Sequence, residues 1–253
     1  MDPAHWLYPA LFAAGLSAGF VDAIAGGGGL ITVPMLLWAG LDPQVALGTN
    51  KLQSSCGTAL AAWRYGRAGF LEWRKLALGL GVTLIASSLG ALAVTHIDPG
   101  FLRQIIPALL IAITIWLWLQ PGAAFHPRPA RLAAVPFAIL FGIVLGFYDG
   151  FFGPGAGSFW TIACMTLLGL DLRAATGHTK AMNLASNLGA LLVFVPAGQV
   201  RYDFAVLMIA GQLIGARLGS GLVIACGSRF IRPVFLTVVL AIAARLLWQN
   251  LRP

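Results

Sequence analysis

The sequence predicts an all-α integral membrane protein built from two homologous helical repeats. Hydrophobic residues make up 59% of the chain and charged residues only 9%, whereas an ordinary soluble domain carries about 25% charge. Several apolar runs approach the roughly 20 residues that a helix needs to span a bilayer. An acidic residue, a glycine break and a lysine recur in the same order in both halves, which indicates the duplication.

The first half, residues 1–120, is expected to hold five helical pieces. A spanning helix that ends near Asp22 is followed by the glycine break Gly26–Gly29, a short apolar helix, a polar-striped helix and two ordinary spans. The short helix cannot cross the bilayer at about 1.5 Å per residue, so we expect a helical hairpin that dips into the membrane. The predicted pieces are 6–25, 30–40, 45–65, 75–94 and 101–119.

The second half, residues 133–253, repeats this order after a linker at 121–132 that is rich in proline and glycine. Asp149 takes the acidic position, and the break runs from Gly153 to Gly157. Backbone groups at such a break are unpaired unless protein, water or a ligand satisfies them, so a break of this kind usually lines a cavity. The predicted pieces are 133–148, 158–169, 174–195, 204–226 and 233–248.

The number of membrane crossings and the positions of the basic residues indicate how the two halves are arranged in the membrane. Five pieces per half, two of them forming a hairpin, leave an odd number of crossings and favour inverted repeats, although loop Lys and Arg fit parallel repeats equally well. The net charge of +8 lies mostly at segment ends, which indicates a lipid bilayer and no nucleic acid as partner. We expect a multi-pass membrane protein, and a homo-oligomer is compatible with the sequence. Gly211, Gly215 and Gly219 recur every four residues, which predicts close helix packing.

Each polar-striped helix carries one lysine with hydroxyl or amide side chains on the same face. A lysine at mid-bilayer costs about 2.5 to 3.5 kcal/mol on insertion scales, so a carboxylate or an anionic solute must offset it. A small oxyanion suits these groups because its oxygens only accept hydrogen bonds. A lysine near a span end often snorkels to the interface instead, but the second copy favours a role inside the protein. The stripes are Lys51, Ser54 and Thr58, and Lys180, Asn183 and Asn187.

Acidic and further basic residues complete the candidate anion site. Asp22 and Asp149 either pair with the lysines or couple transport to a proton or a sodium ion, since an intramembrane carboxylate is a functional candidate by default. Arg217 is a candidate third anion ligand or a partner of Asp149, and His178 is a candidate donor or pH sensor. Backbone N–H groups and helix N-termini at the breaks would add donors. The glycines concerned are Gly26, Gly27, Gly28, Gly153 and Gly155.

No sequence pattern supports an enzyme, a metal site or a cofactor. The three cysteines are isolated and lack metal-ligand spacing. The glycine run lacks the ending of a phosphate-binding loop and has no βαβ unit around it.

These motifs resemble the TauE/SafE family of membrane permeases, also called the toluene-sulfonate uptake permease family. The resemblance covers nearly the whole chain and implies a secondary carrier for sulfite, sulfonates or sulfoacetate in a bacterial or archaeal inner membrane. It also implies that Asn50 and Thr179 join the substrate-binding residues. His178 and the Pro154 insertion depart from the first copy, so the halves are not expected to bind identically. The matching positions are Asp22, Gly26–Gly28, Asn50, Lys51, Asp149, Gly153, Gly155, Thr179, Lys180 and Asn183.

The leading functional hypothesis is a secondary transporter that moves a small sulfur-containing anion by alternating access. Family members include proposed exporters and proposed importers, so the resemblance implies no direction. The alternatives are a passive anion channel, and a membrane scaffold or assembly subunit whose polar stripes contact another protein.

Overall fold

A computed structural model describes residues 4–119 and 129–226, and every regular element in these ranges is an α-helix. The last predicted span, 233–248, and residues 120–128 of the linker lie outside the described residues. The helices are α1 (Ala4–Ala25), α2 (Gly29–Trp38), α3 (Pro43–Arg67), α4 (Trp73–Thr95), α5 (Pro99–Leu119), α6 (Ala134–Phe151), α7 (Ala156–Leu167), α8 (Leu172–Phe194) and α9 (Tyr202–Cys226).

Five of these helices are long and apolar enough to cross a membrane, namely α1, α4, α5, α6 and α9. The polar-striped helices α3 and α8 are equally long, with 25 and 23 residues, but their polar side chains lower their hydropathy. The short helices α2 and α7 have 10 and 12 residues. The predicted all-helical membrane architecture is therefore confirmed.

Glycine and aspartate residues set the boundaries around the two short helices. The chain leaves α1 at Gly26 with φ +69°, and it passes from α6 to α7 through Gly153 and Gly155 with φ +97° and +85°. These left-handed conformations favour glycine. At the start of α8, the Asp171 carboxylate accepts hydrogen bonds from the backbone N–H groups of Arg173 and Ala174, which caps the helix.

The short helix α2 turns back along α1. Gly28, at its start, lies against Ala18 and Asp22 of α1. At its end, the ring of Trp38 lies 4.7 Å from the ring of Trp6 near the start of α1. The short helix α2 thus folds back against α1, while a hairpin that dips into the membrane stays a prediction.

Glycines allow α1 and α9 to pack closely. A Cβ added at Gly211, Gly215 or Gly219 would overlap a backbone carbonyl of α1. The carbonyls that face them belong to Phe12, Leu16 and Phe20, in that order. The two helices therefore run in the same direction, and the predicted packing role of these glycines is confirmed.

The helices of the two halves interlock. Besides α1 with α9, the pairs α4 with α6, α3 with α8 and α3 with α9 pack across the halves. In the α4–α6 pair, Gly146 and Gly150 lie against backbone of Thr83 and Ser87. The core is consequently shared between residues 1–120 and 133–253, while their relation as repeats, inverted or parallel, stays a prediction.

Candidate functional site

The two glycine breaks meet inside the molecule. A Cβ added at Gly26 would lie only 2.5 Å from the backbone carbon of Gly157, so only glycine fits this approach. The Ser158 hydroxyl donates to the carbonyl of Ala25 at 3.1 Å and also to that of Gly26. The α1–α2 and α6–α7 connections are thereby joined at a single seam.

A small cavity of about 30 Å³ lies beside this seam. Its walls come from both breaks, from both polar-striped helices and from the acidic ends of α1 and α6. They carry one ammonium group, two carboxylates, and several hydroxyl and amide groups. The lining residues are Asp22, Gly27, Gly28, Gly29, Asn50, Lys51, Ser54, Thr58, Asp149, Gly153, Gly155, Ala156, Gly157, Asn183 and Asn187.

Lys51 of α3 forms an ion pair with Asp149 of α6. The ammonium donates to Asp149 Oδ1 at 2.6 Å, and the two side chains are 1% and 6% exposed. The Ser186 hydroxyl of α8 donates to the other carboxylate oxygen. Hydrogen bonds on both oxygens offset part of the cost of burying this charge.

Lys180 of α8 forms the second buried ion pair, with Asp22 of α1. Its ammonium donates to Asp22 Oδ2 at 3.0 Å, and the lysine side chain is fully buried. Each pair joins the lysine of one half of the chain to the carboxylate of the other half. We call these two contacts the crossed pairs. In this structure both Asp22 and Asp149 are paired with lysines, while their role in coupling stays a prediction.

The crossed pairs leave the cavity without net charge. The sequence required a carboxylate or an anionic solute to offset each lysine, and in this structure carboxylates do so. Lys51 lines the cavity directly, whereas Lys180 reaches Asp22 from outside the lining. The two lysines consequently differ in their access to a bound solute.

Side chains of both polar stripes line the cavity. Ser54 and Thr58 line it from α3, and Asn183 and Asn187 line it from α8. The amide oxygen of Asn183 is buried and has no hydrogen-bond partner among the residues that the structure describes. This unpaired acceptor can be satisfied by a hydrogen-bond donor such as water.

The residues that directly precede the two lysines contact the short helices α2 and α7. The Asn50 amide oxygen accepts from Thr32 of α2, and Asn50 still lines the cavity. Thr179 lies outside the cavity, with its hydroxyl 2.9 Å from that of Thr161 on α7. The resemblance-based role of Thr179 as a substrate contact therefore finds no support in its position, because its hydroxyl faces α7.

Two predicted residues lie away from the cavity. His178 lines a separate cavity near Phe137 and Trp160, and its Nδ1 is 3.0 Å from the Ala174 carbonyl oxygen. Arg217 is exposed in a groove between α3 and α9. In this structure the carboxylate oxygens of Asp149 bind Lys51 and Ser186 rather than Arg217.

Sequence reasoning missed Ser186, Thr32 and Thr161. Ser186 lies three residues after Asn183 on the same helix face, so the periodicity of the stripe could have identified it. Thr32 and Thr161 precede Asn50 and Thr179 by the same interval in each half. An extended alignment of the halves could have revealed that correspondence.

Comparisons with known proteins agree with this architecture. A family model described as sulfite exporter TauE/SafE matches residues 11–246. The chain is similar to the probable membrane transporter protein YfcA of Escherichia coli K12, at 42% identity over 240 residues, covering 95% of this chain and 89% of that protein. It is also similar to a probable membrane transporter protein of Haemophilus influenzae, at 39% identity over 250 residues, covering 99% and 98%. No solved structure matches the chain.

The family match and the helices lead to one conclusion. With five candidate spans and bacterial relatives of nearly equal length, the protein is a multi-pass bacterial membrane protein. The family description and the names of the relatives indicate a membrane transporter. The resemblance seen in the motifs is confirmed, and the chain belongs to the TauE/SafE family.

Proposed function

We propose that the protein is a secondary transporter for small sulfur-containing anions of the sulfite, sulfonate and sulfoacetate class, working by alternating access. The observation that carries the proposal is the buried polar cavity held by the crossed pairs. The family description, sulfite exporter, supports the class of solute.

The donors around the cavity suit an oxyanion. The Lys51 ammonium, the hydroxyls of Ser54 and Thr58, and the amide groups of Asn183 and Asn187 all line it. Charge-assisted hydrogen bonds from such groups to an oxyanion are about twice as strong as neutral ones. A sulfonate presents three acceptor oxygens to these donors.

Two helix N-termini also border the cavity. Residues Gly27–Gly29 precede and begin α2, and Gly155–Gly157 precede and begin α7. Neither start has a side-chain cap. The N–H groups of Leu30, Ile31, Ala156 and Ser158 already donate to preceding carbonyls, so Gly29 and Gly157 offer the first-turn N–H groups that a ligand can use. The positive ends of the helix dipoles add to the attraction for an anion.

The size of the cavity requires a conformational change. At about 30 Å³, it holds a few water molecules at most and is too small for an organic sulfonate. The described conformation is therefore closed around the site, and the seam between the glycine breaks must part for the anion to enter. Alternating access supplies that motion.

The charge balance supports coupling to a cation. An anion that binds Lys51 displaces the Asp149 carboxylate and leaves a net negative charge in a buried site, which is costly. A proton on Asp149 or Asp22, or a sodium ion beside one of them, restores neutrality. We therefore propose co-transport of a proton or sodium ion with the anion.

Transport by purified protein in liposomes tests the proposal. With a proton or sodium gradient imposed, wild-type protein should accumulate labelled sulfite or a short sulfonate above the external concentration. Lys51→Ala should reduce the initial rate by about tenfold or more, because losing one partner of a buried charge pair costs several kcal/mol. Lys75→Ala, which removes an exposed lysine, is the matched control and should transport normally.

The competing functions give different outcomes. A passive channel equilibrates the anion but never concentrates it. A scaffold leaves protein-containing liposomes no more permeable than empty ones. If Lys51→Ala folds poorly, Thr58→Val tests the role of the α3 side of the cavity instead. It removes one hydroxyl from the cavity and keeps the crossed pairs.

A further inference from the structure

Three guanidinium groups converge at one end of α3 and α9, away from the central cavity. Arg64 and Arg67 lie in the last turn of α3, and Arg217 lies on α9. Together with Trp63 and Ile224 they line a groove of about 430 Å³. No residue of this arginine groove also lines the central cavity.

The arginine groove contains no carboxylate among its lining residues. In the described part of the chain, the carboxylates have other partners. Five of them form ion pairs with lysines or other arginines, and two accept backbone N–H groups near helix starts. These residues are Asp22, Asp42, Glu72, Asp149 and Asp203, and Asp98 and Asp171. The groove therefore holds positive charge that these carboxylates do not balance.

Arg217 extends from an apolar, outward-facing surface. Its neighbours on α9, Leu213, Ile214 and Leu218, are exposed large hydrophobic residues within a candidate membrane span. An arginine on a surface of this kind is costly unless its side chain reaches the interface or an anion. Arg217 lines the same groove as Arg64 and Arg67, which lie at the end of α3.

An unused donor lies next to the groove. Arg64 Nε is buried and has no hydrogen-bond partner among the described residues. Gly221 of α9 lies beside the same guanidinium, since a Cβ added there would be 3.2 Å from one of its terminal nitrogens. The glycine at position 221 thus leaves room for the Arg64 guanidinium to pack against α9.

Trp63 fits an interfacial position. Its ring is 54% exposed, and the guanidinium of Arg67 lies 5.1 Å from the ring centroid. Tryptophan is enriched where a membrane meets water. The basic residues at this end of the molecule, which include Arg64, Arg67, Arg74 and Lys75, favour the cytoplasmic side, whose leaflet carries anionic lipids.

We infer that the arginine groove binds the phosphate headgroup of an anionic phospholipid. The three guanidinium groups donate to the phosphate oxygens, as their planar geometry suits, and the acyl chains lie along the exposed leucine and isoleucine side chains of α9. A phospholipid fits both the guanidinium groups and the apolar surface of α9, because it brings a phosphate and hydrocarbon chains to the same place. The inference depends on the membrane location and not on the identity of the transported anion.

Lipid binding to the purified full-length protein tests the inference. Native mass spectrometry with phosphatidylglycerol and phosphatidylcholine should show preferential retention of phosphatidylglycerol by the wild type. Arg217→Gln should weaken this retention by about fivefold, because it removes one of the three guanidinium groups that donate to the phosphate in the groove. Arg217→Lys, which keeps the charge, should retain most of it.

Arg74→Gln is the matched control. It removes one exposed positive charge from the start of α4 and lies outside the groove, so phosphatidylglycerol retention should match the wild type. Equal retention of the two lipids by the wild type would overturn the inference, as would equal losses in the Arg217→Gln and Arg74→Gln proteins. Displacement of phosphatidylglycerol by millimolar inorganic phosphate would also overturn it, because the groove would then bind free anions.

Discussion

At the scale of single residues, the crossed pairs decide the chemistry of the site. Lys51 and Lys180 are buried cations whose charges are balanced by carboxylates from the other half of the chain. Burying a charged pair offers little net stability compared with apolar packing, but removing one partner leaves an uncompensated charge. The crossed pairs are therefore expected to be costly to break and available for exchange with a solute.

A double-mutant cycle measures how strongly one crossed pair is coupled. Lys51→Ala and Asp149→Ala should each lower the free energy of unfolding by about 3 to 5 kcal/mol, because each leaves a buried charge unpaired. The double variant should cost much less than the sum. The exposed pair Lys75–Glu72, with side chains 73% and 65% exposed, is the control and should show a coupling of about 1 kcal/mol or less.

Additive effects at Lys51 and Asp149 would contradict this account. Thermal or chemical unfolding of the four proteins in the same detergent gives the free energies needed. Additivity would mean that the two side chains do not stabilise each other in the folded protein.

The charged partners were the hardest part of the site to predict. The repeated motifs identified both lysines, both aspartates and the polar stripes, since a charge in an apolar run is conspicuous. They left open which carboxylate meets which lysine, because that depends on how α3 and α8 cross between the halves. Arg217 illustrates the limit, since its place within a span suggested an internal role although it lies on the outward face of α9.

At the scale of helices, glycines determine which surfaces come together. Gly211, Gly215 and Gly219 bring α9 against the backbone of α1, and Gly26 and Gly157 join the two breaks. Close backbone approach of this kind drives helix association in lipid, where the hydrophobic effect between helices is absent. The helices that carry Asp22 and Asp149 are positioned by such contacts.

Gly215→Ala tests this packing. The added methyl group would overlap the Leu16 carbonyl oxygen, so we expect a lower unfolding temperature and weaker α1–α9 association. Gly81→Ala in α4 is the matched control, because a Cβ there meets no atom within 4 Å. That substitution should leave stability unchanged or raise it by about 0.5 to 1 kcal/mol through helix propensity. Equal destabilisation by both substitutions would mean that close approach at Gly215 is unimportant.

The sequence largely predicts where the helices begin and end. Glycine, proline and capping residues mark the ends of α2, α3, α7 and α8, and the observed boundaries differ from the predicted ones by only a few residues. The partners of each helix were not predictable from one sequence, because packing across the halves depends on the three-dimensional arrangement. The duplication and the inverted arrangement stay predictions.

At the scale of the whole molecule, the site exists only where the two halves interlock. Its walls combine α1, α2 and α3 with α6, α7 and α8, and each crossed pair spans both halves. A relative movement of the halves would therefore open the cavity and separate the charges together. In the proposed mechanism, this shared geometry would link solute binding to the conformational change of alternating access.

Anion binding to the purified protein tests this central claim most directly. Sulfite, sulfate, thiosulfate and short sulfonates are compared by the rise in unfolding temperature that each produces, at two pH values and with or without sodium. We expect a sulfur-containing anion to stabilise the wild type and the Lys75→Ala protein, with a dependence on pH or sodium, and not to stabilise Lys51→Ala. Equal stabilisation of the Lys51→Ala protein would contradict this expectation.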